Sequence, residues 1–369
     1  MKIAFLHYHL KTGGVTTVLR GQVAAIRKVC DTLVITGDRA GTVLPCEVVE
    51  IPEIGYDRPE SPPQAPEPVA DKILKGISNA WPSGCDVLHV HNPTLAKNRC
   101  FLRVLNRLQQ AGVHLFLQIH DFAEDGRPGA YFREPYPADC HYGVINSRDR
   151  EILLRTGLDA AGVHLVPNAI QPLPVERRRP EPLVLYPIRA IRRKNLGEAI
   201  LLSLFLRNGQ RLDVSQPPNS PQDIASYRAW KRYVKEKRLN VNFDVGQKVD
   251  FFALVGAAAS MVTTSITEGF GLSFLEPWTA GLLLWGRRLG EVCRDFEQNG
   301  VRLDHLYDRL EVPFDWFDTD AFFQRWRAAA LAAADAYDHA LAPEAVDRSL
   351  TSMRRGKMVD FGNLDETSQ

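Results

Sequence analysis

Short apolar runs of strand length alternate with longer stretches of helical period along almost the whole chain. Parallel strands joined by right-handed helical crossovers produce that pattern, so the fold class is α/β. KIAFLHYH, DTLVITG, EVVEIP, DVLHVHN, HLFLQIHD, YGVINS and HLVPNAI read as strands, with helices predicted over 15–28, 70–80, 100–110 and 148–156. The alternation stops at QPLPVERRRPEP, residues 171–182, where four prolines and a basic triplet leave little apolar surface to bury. It restarts with LVLYPIRA, a helix over 195–206, QRLDVSQ, a helix over 221–236, VNFDVG, a short helix over 250–258, MVTTSI, a helix over 272–280 and LLLW. An alanine-rich helix follows over 318–341, and the last dozen residues are polar and expected to fray.

A chain of 369 residues exceeds what one core of ordinary size holds, which fits two domains. We divide it into a first domain at 1–170, a linker at 171–182, a second domain at 183–340 and a tail at 341–369, with the first domain a candidate surface for that tail. A proline-rich insert, Pro52 to Pro68, is expected to be a surface loop. Net charge is +1, from 45 basic and 44 acidic residues, so no global field favours nucleic acid. Six scattered cysteines without a CxxC pair suit free thiols in a reducing compartment. The opening residues read as a strand rather than a signal peptide, and no apolar stretch reaches the length of a membrane span. The expectation is a cytoplasmic protein, with peripheral membrane contact left open.

Ligands of open α/β sheets sit beyond the carboxyl ends of the strands, and two such domains in tandem would line a cleft with those ends. Residues just after strands are therefore the candidates for chemistry. Gly13 and Gly14 follow the first strand and allow close approach of an anion to the N–H groups of the next helix. By itself such a pair reads as a tight turn. Arg189 and Lys194 follow the first strand of the second domain, where a departing diphosphate would find fixed positive charge. Arg192 and Arg193, in the same run, read as a solvated basic face. After MVTTSI comes TEGFGLSFLEPW, in which Glu268 and Glu276 flank the glycines Gly269 and Gly271. The loop offers backbone amides to a phosphate or sugar, and Glu276, about one turn inside the predicted helix, can accept hydrogen bonds from vicinal hydroxyls.

Taken in order, these motifs resemble the retaining GT-B glycosyltransferases of family 4, over most of the chain. Gly13-Gly14-Val15 is similar to that family's N-terminal glycine turn, and His120-Asp121 to its mid-domain histidine site. Pro167-Asn168-Ala169-Ile170 resembles its motif before the linker, Arg189 with Lys194 its donor-phosphate pair, and Glu268 through Glu276 its paired glutamates. The resemblance implies two Rossmann-like domains facing each other across a cleft, the first holding the acceptor and the second a nucleotide-diphosphate sugar. It implies donor contacts from Gly14, Asn168, Arg189, Lys194, Glu268, Gly269, Phe270, Gly271, Leu272 and Glu276. Glu268 would bind sugar hydroxyls and Glu276 the ribose, while His120, Arg189, Lys194 and Glu268 would serve catalysis. Gly13, Gly14, His91, Asn92 and Asp121 are the acceptor-side candidates.

The implied reaction is hexosyl transfer from UDP-glucose or GDP-mannose to an acceptor hydroxyl, with retained anomeric configuration, no cofactor and no metal. The leaving diphosphate would help to deprotonate the acceptor. Three stretches depart from the family pattern. DVSQPPNSPQD stands where a glycine-bearing strand end is usual, Pro277-Trp278 where small residues follow the second glutamate, and GRRLGEVCRDF where loop amides are common. Two rival readings compete with it. His7 with His9 and His89 with His91 have the HxH spacing of metal-dependent hydrolases. A non-catalytic relative would bind nucleotide or glycan without transfer. Asp318-Thr319-Asp320 has the DxD form of a metal motif but opens a helix, where aspartate caps exposed N–H groups.

Overall fold

Lys2–His7 forms β1, whose Ala4, Phe5 and Leu6 have almost no exposed surface, as expected of a strand covered on both faces. This is a computed structural model, and it describes residues 1–369 apart from Pro59, Ser61, Pro63, Arg177–Arg179 and Asn208. The basic triplet expected in the linker and three positions of the proline-rich insert therefore lie outside the described residues. After β1 come α1 (Gly14–Ile26), β2 (Asp31–Thr36), β3 (Glu47–Glu50), α2 (Pro66–Ala80), β4 (Val87–His91) and α3 (Phe101–Gln110). The first half ends with β5 (Leu115–Ile119), β6 (His141–Val144), α4 (Ser147–Arg155) and β7 (Val163–Leu165).

These strands form one parallel sheet in the order β3-β2-β1-β4-β5-β6-β7. Helix α3 shows how the sequence period becomes packing. Phe101, Leu102, Val104, Leu105 and Leu108 make one buried stripe that joins a core with Val69, Ala70, Ile73 and Ile77 of α2. Each such side chain contributes roughly 1.5–3 kcal/mol of transfer free energy at most. Where a helix needs a start signal the sequence supplies one. Pro66 stands in the first turn of α2, and the Asn146 side chain accepts from the Asp149 N–H at 2.8 Å ahead of α4.

Residues Met1–Ala169 make one compact unit and Ile170–Gln369 a second. The second contains β8 (Leu183–Arg189), α5 (Leu196–Ser203), β9 (Arg211–Gln216), α6 (Pro221–Glu236), β10 (Val241–Asn242), α7 (Phe251–Ala257) and β11 (Ser260–Thr263). There follow α8 (Glu276–Thr279), β12 (Leu284–Gly286), α9 (Gly290–Gln298), β13 (Glu311–Pro313), α10 (Thr319–Ala336), α11 (Pro343–Met353), β14 (Arg354–Arg355) and β15 (Met358–Asp360). Its parallel sheet runs β10-β9-β8-β11-β12. A small antiparallel sheet, β13-β15-β14, closes the chain. Asp318 caps α10 by accepting from the Ala321 N–H at 3.0 Å. Trp81 ends α2 in the first unit, while Trp230, Trp278, Trp285, Trp316 and Trp326 stand in the second.

Three expectations need correction. The helix predicted over 272–280 is broken into a 3-10 turn at Leu272–Phe274 and the four-residue α8. Pro277 has no N–H to give the Ser273 carbonyl and its ring would clash there, so one continuous helix cannot pass through. Glu276 is consequently the first residue of α8 rather than one turn inside a helix. VNFDVG pairs only at Val241 and Asn242, because Asp244 turns left-handed at φ 60 and opens a 3-10 turn. The final residues do not fray. Met358–Asp360 pairs with Glu311–Pro313, and Val359, Phe361 and Leu364 join Val312 and Phe322 in a core. Their apolar spacing is too short to show a period, and only the long-range pairing reveals the strand. The tail packs within the second unit.

In each parallel sheet the strand order reverses direction at one place, between β1 and β4 in the first and between β8 and β11 in the second. Carboxyl ends on either side of such a switch point leave a crevice that connections do not cross. No helix among the described residues is long and apolar enough to cross a membrane.

Candidate functional site

At the switch point of the second sheet, the chain leaving β8 makes a 3-10 turn at Arg192–Lys194, and the chain leaving β11 runs through Thr264 to Glu268. The two segments are tied together by the backbone. Ile266 N–H donates to the Arg193 carbonyl at 2.9 Å, and Thr264 Oγ1 donates to the Lys194 and Asn195 carbonyls, each at 3.0 Å. Tyr186, buried in β8, donates its hydroxyl to the Lys194 carbonyl and accepts from the Thr264 N–H at 3.2 Å. Two cations are thereby aimed at one carboxylate. Lys194 Nζ donates to Glu268 Oε1, and Arg193 Nη1 donates to Glu268 Oε2 at 2.8 Å and to the Thr267 carbonyl at 3.2 Å.

The Glu268 side chain is 8% exposed, that of Lys194 14% and that of Arg193 35%. Burial pushes the Glu268 carboxyl up, but Lys194 and Arg193 outweigh it and hold the group below the usual carboxylate range. Burial likewise lowers the Lys194 ammonium, against the pull of Glu268 and with some help from Arg193. The cluster of two cations and one anion carries a surplus positive charge in a mostly enclosed place, where charge acts more strongly than in water.

Of the cations after β8, Arg193 rather than Arg189 shares Glu268 with Lys194. Arg189 ends β8 exposed, with Nη1 donating to the Pro217 carbonyl at 3.5 Å. Arg192 points the other way and gives Nη2 to the Leu364 carbonyl at 2.7 Å. The bare sequence RRK hides this division, because a 3-10 turn sends successive side chains about 120° apart. Glu276 is half-buried at the head of α8, and burial alone raises its carboxyl. Between the glutamates, Gly271 has φ 84, and a Cβ there would lie 2.6 Å from Val292 and 2.9 Å from Phe274, so the turn itself demands glycine. The Phe270 ring packs on Phe296 at 5.3 Å, which leaves its backbone rather than its side chain for a ligand. Gly269 and Leu272 flank that stretch and are partly exposed.

At the switch point of the first sheet, β1, β4 and β5 bring together His7, His89, His91 and, one residue past β5, His120. The rings of His89 and His91 stack at 4.7 Å with 8° between planes, and His91 and His120 at 5.2 Å with 14°. His91 Nδ1 and His120 Nε2 share a hydrogen bond of 2.9 Å, so one ring donates while the other accepts. His89 Nε2 donates to Gln118 Oε1 at 2.8 Å, and Gln22 Nε2 donates to the same oxygen at 2.9 Å. Burial lowers His120 to about 3, with His89 adding to the effect. Burial, then His9, lowers His7 to about 3, burial lowers His89 to about 4, and burial with the neighbouring rings takes His91 well below the ordinary value. The column is therefore neutral across the physiological range.

Of the two HxH pairs expected of a metal site, His89 and His91 stack in parallel planes, and His7 and His9 meet edge to face at 5.3 Å and 62°. Imidazoles in parallel planes do not converge their nitrogens on one point, and no group of three metal-ligating side chains is found among the described residues. Asn92 sits just past β4 at φ 56, and its Oδ1 accepts from the backbone N–H groups of His120 and Asp121 at 3.0 and 3.1 Å. Asp121 pairs with Arg127 at 2.7 Å. His91 Nε2 and Asn168 Oδ1 are among the buried side-chain atoms of the first unit that lack a partner. Gly13 and Gly14 precede and open α1, whose N-terminus has no side-chain cap and no acidic residue in its first turn. Gly13 is extended, at φ 173, neither glycine is left-handed, and a Cβ at Gly14 would meet nothing within 4 Å, so the local turn does not demand glycine there.

Two Rossmann-like units of these strand orders define a GT-B fold, the architecture of a large class of glycosyltransferases. No family model matches the chain. The chain is similar to mannosylglucosyl-3-phosphoglycerate synthase of Petrotoga mobilis, with 24% identity over 347 residues, covering 83% of this chain and 68% of that protein. Among solved structures it is similar to sucrose-phosphate synthase of Thermosynechococcus elongatus, with 19% identity, TM-score 0.56 and coverage of 78% and 82% of the two chains. It is also similar to Anabaena HepE in complex with UDP-glucose, with 16% identity, TM-score 0.57 and coverage of 80% and 82%.

Proposed function

We propose that this chain is a metal-independent, nucleotide-sugar-dependent glycosyltransferase of the family 4 type, moving a hexose with retention of anomeric configuration. The carrying observation is the cluster of Arg193, Lys194 and Glu268 at the switch point of the second sheet. A sugar diphosphate needs fixed cations for its phosphates and a carboxylate for its hydroxyls, and the cluster supplies both. The relatives support the reading. One is named a synthase of mannosylglucosyl-3-phosphoglycerate, and a structural neighbour holds UDP-glucose.

In this reading the second unit holds the donor. Lys194 and Arg193, with Arg189 at the exposed strand end, face the diphosphate, Glu268 takes sugar hydroxyls and Glu276 the ribose. The amides of Gly269 to Leu272 line the same ligand. As the bond from the anomeric carbon to the diphosphate oxygen breaks, its electron pair stays on the departing phosphate. The acceptor oxygen bonds to the same face of the sugar, and its proton passes to that phosphate oxygen. Preorganised cations at the developing charge are the main source of rate. His120 supports this route, because an imidazole lowered to about 3 is a poor base at neutral pH and serves as a hydrogen-bonding contact. The uncapped start of α1 at Gly13 and Gly14, with His91, Asn92 and Asp121, forms the acceptor side, and the protein works in the cytoplasm.

A thermal-shift screen of UDP, GDP and ADP sugars identifies the donor, since a ligand bound only by the folded state raises its melting temperature. Donor hydrolysis or transfer by the wild type, lost in folded Lys194→Ala and Glu268→Ala variants, is the expected result. Nucleotide binding with no turnover over a broad acceptor panel, a glycosylated phosphoglycerate included, would point instead to a non-catalytic binding protein.

A further inference from the structure

The turn that carries Arg193 and Lys194 is fastened from behind by the tail of the chain. Its four residues divide cleanly. The middle two, Arg193 and Lys194, reach Glu268. The outer two, Arg192 and Asn195, reach the tail. Arg192 Nη2 donates to the Leu364 carbonyl at 2.7 Å, and Asn195 Oδ1 accepts from Gln369 Nε2 at 2.7 Å. Gln369 Nε2 also approaches the Phe361 and Leu364 carbonyls at 3.1 and 3.3 Å.

Asn195 is the element that such a fastening would need. It is fully buried and left-handed, at φ 52 and ψ 57, a conformation that asparagine enters more readily than most residues and that its hydrogen bonds here fix. Its side chain is bonded at both ends, Nδ2 donating to Glu198 Oε2 at 2.7 Å while Oδ1 takes Gln369. Glu198 is fully buried and in turn receives Arg287 at 2.6 and 2.9 Å and the Tyr307 hydroxyl at 2.6 Å. Arg287 completes the circuit on Asp360 of β15 with two bonds of 2.7 Å. The tail is thus joined to the turn by Gln369 on one side and by Asp360, Arg287 and Glu198 on the other.

Glycines mark how closely the tail is seated. A Cβ at Gly197 would lie 2.4 Å from Gln369 Oε1 and 2.7 Å from the Trp230 ring. One at Gly362 would lie 2.9 Å from the Arg287 guanidinium. Both positions admit the tail only because they lack a side chain.

We infer that Gln369 is a positioning residue for the diphosphate-binding cations: by holding Asn195 left-handed it keeps the 192–195 turn in the one shape that points Arg193 and Lys194 together. The inference rests on the proposed binding of a nucleoside diphosphate at those cations. The donated hydrogen bond, rather than side-chain volume, is what matters, and the effect is specific to the phosphates.

The test measures binding of UDP, GDP and ADP, each against its own nucleoside, to the full chain and to Gln369→Ala and Gln369→Met. Methionine keeps most of the volume and removes the donor. The expected result is a loss of about tenfold in affinity for the preferred diphosphate in both variants, with nucleoside affinity unchanged. Because Gln369 acts through the turn that aims Lys194 and Arg193, combining its change with Lys194→Ala should cost clearly less than the sum of the two single losses, only the part carried by Arg193 remaining. If the wild type binds none of the three diphosphates, the functional reading itself fails and this inference falls with it. Wild-type affinity in the variants, equal losses for nucleoside and diphosphate, or full additivity with Lys194→Ala overturns the positioning role alone. Should Gln369→Ala prove unstable, Gln369→Met decides the matter by the same comparison.

Discussion

At the scale of single residues, Glu268 shows how one side chain can both serve a ligand and stand in its way. Its carboxylate occupies the cations that a diphosphate would need, and a ligand must replace those two charge-assisted bonds. Removing its charge while keeping its shape separates the two roles. Glu268→Gln should bind nucleoside diphosphate at least as tightly as the wild type, because the internal competitor is weakened. It should lose about a hundredfold in transfer, the order expected for deleting one transition-state contact. Calorimetric titration and initial rates on the same preparation check both halves, and parallel loss of binding and turnover would contradict the assignment. The residue types of this site were legible in the sequence, since Lys194, Glu268 and the intervening glycines follow strand ends as ligand-binding residues do. Arg193 was not. Its neighbours Arg189 and Arg192 are equally basic, and only the 3-10 turn decides which of the three meets the carboxylate.

At the scale of elements, the histidines gathered by β1, β4 and β5 tie the stability of the first unit to pH. His7 and His120 are lowered to about 3 and His89 to about 4, from an ordinary value of 6.5. Between those values the unfolded chain binds protons that the folded one refuses, so stability is fully present above pH 6.5 and is lost as the pH falls toward 4. Each group costs up to about 1.4 kcal/mol per pH unit across that window. Asp149 works the other way, since burial raises its carboxyl to about 6, but it is one group against the four histidines of the column. Melting followed by far-UV circular dichroism should show a steep fall in Tm between pH 6.5 and 4.5, shallower in His7→Phe. A flat profile would show that the imidazoles are reached by water. Strand positions were mostly readable from apolar runs, because a parallel strand covered on both faces needs little else. The helix at 272–280 was not, for periodicity registers side chains and is blind to the N–H that Pro277 lacks. The strand at Met358–Asp360 was missed because it is short and earns its place by pairing with residues far away in sequence.

At the scale of the whole molecule, each unit has its own sheet and its own buried core, and the division at Ala169 falls beside the proline-rich stretch that the sequence marks. Fragments 1–169 and 170–369 are expected to fold separately, each with a cooperative thermal transition, and the second to retain nucleoside-diphosphate binding within about tenfold. An aggregated or unfolded fragment in that expression test would mean that the units depend on each other. What the sequence did not disclose at this scale is the course of the tail, which is polar enough to pass for a frayed end yet returns to Arg287 and Asn195. The uneven placement of indoles has a practical corollary. With Trp81 alone in the first unit and the other five in the second, intrinsic fluorescence is close to a reporter of one half of the protein. An acid titration watched only by emission would largely miss the histidine column, while a nucleotide titration watched the same way would monitor the half that carries Arg193, Lys194 and Glu268.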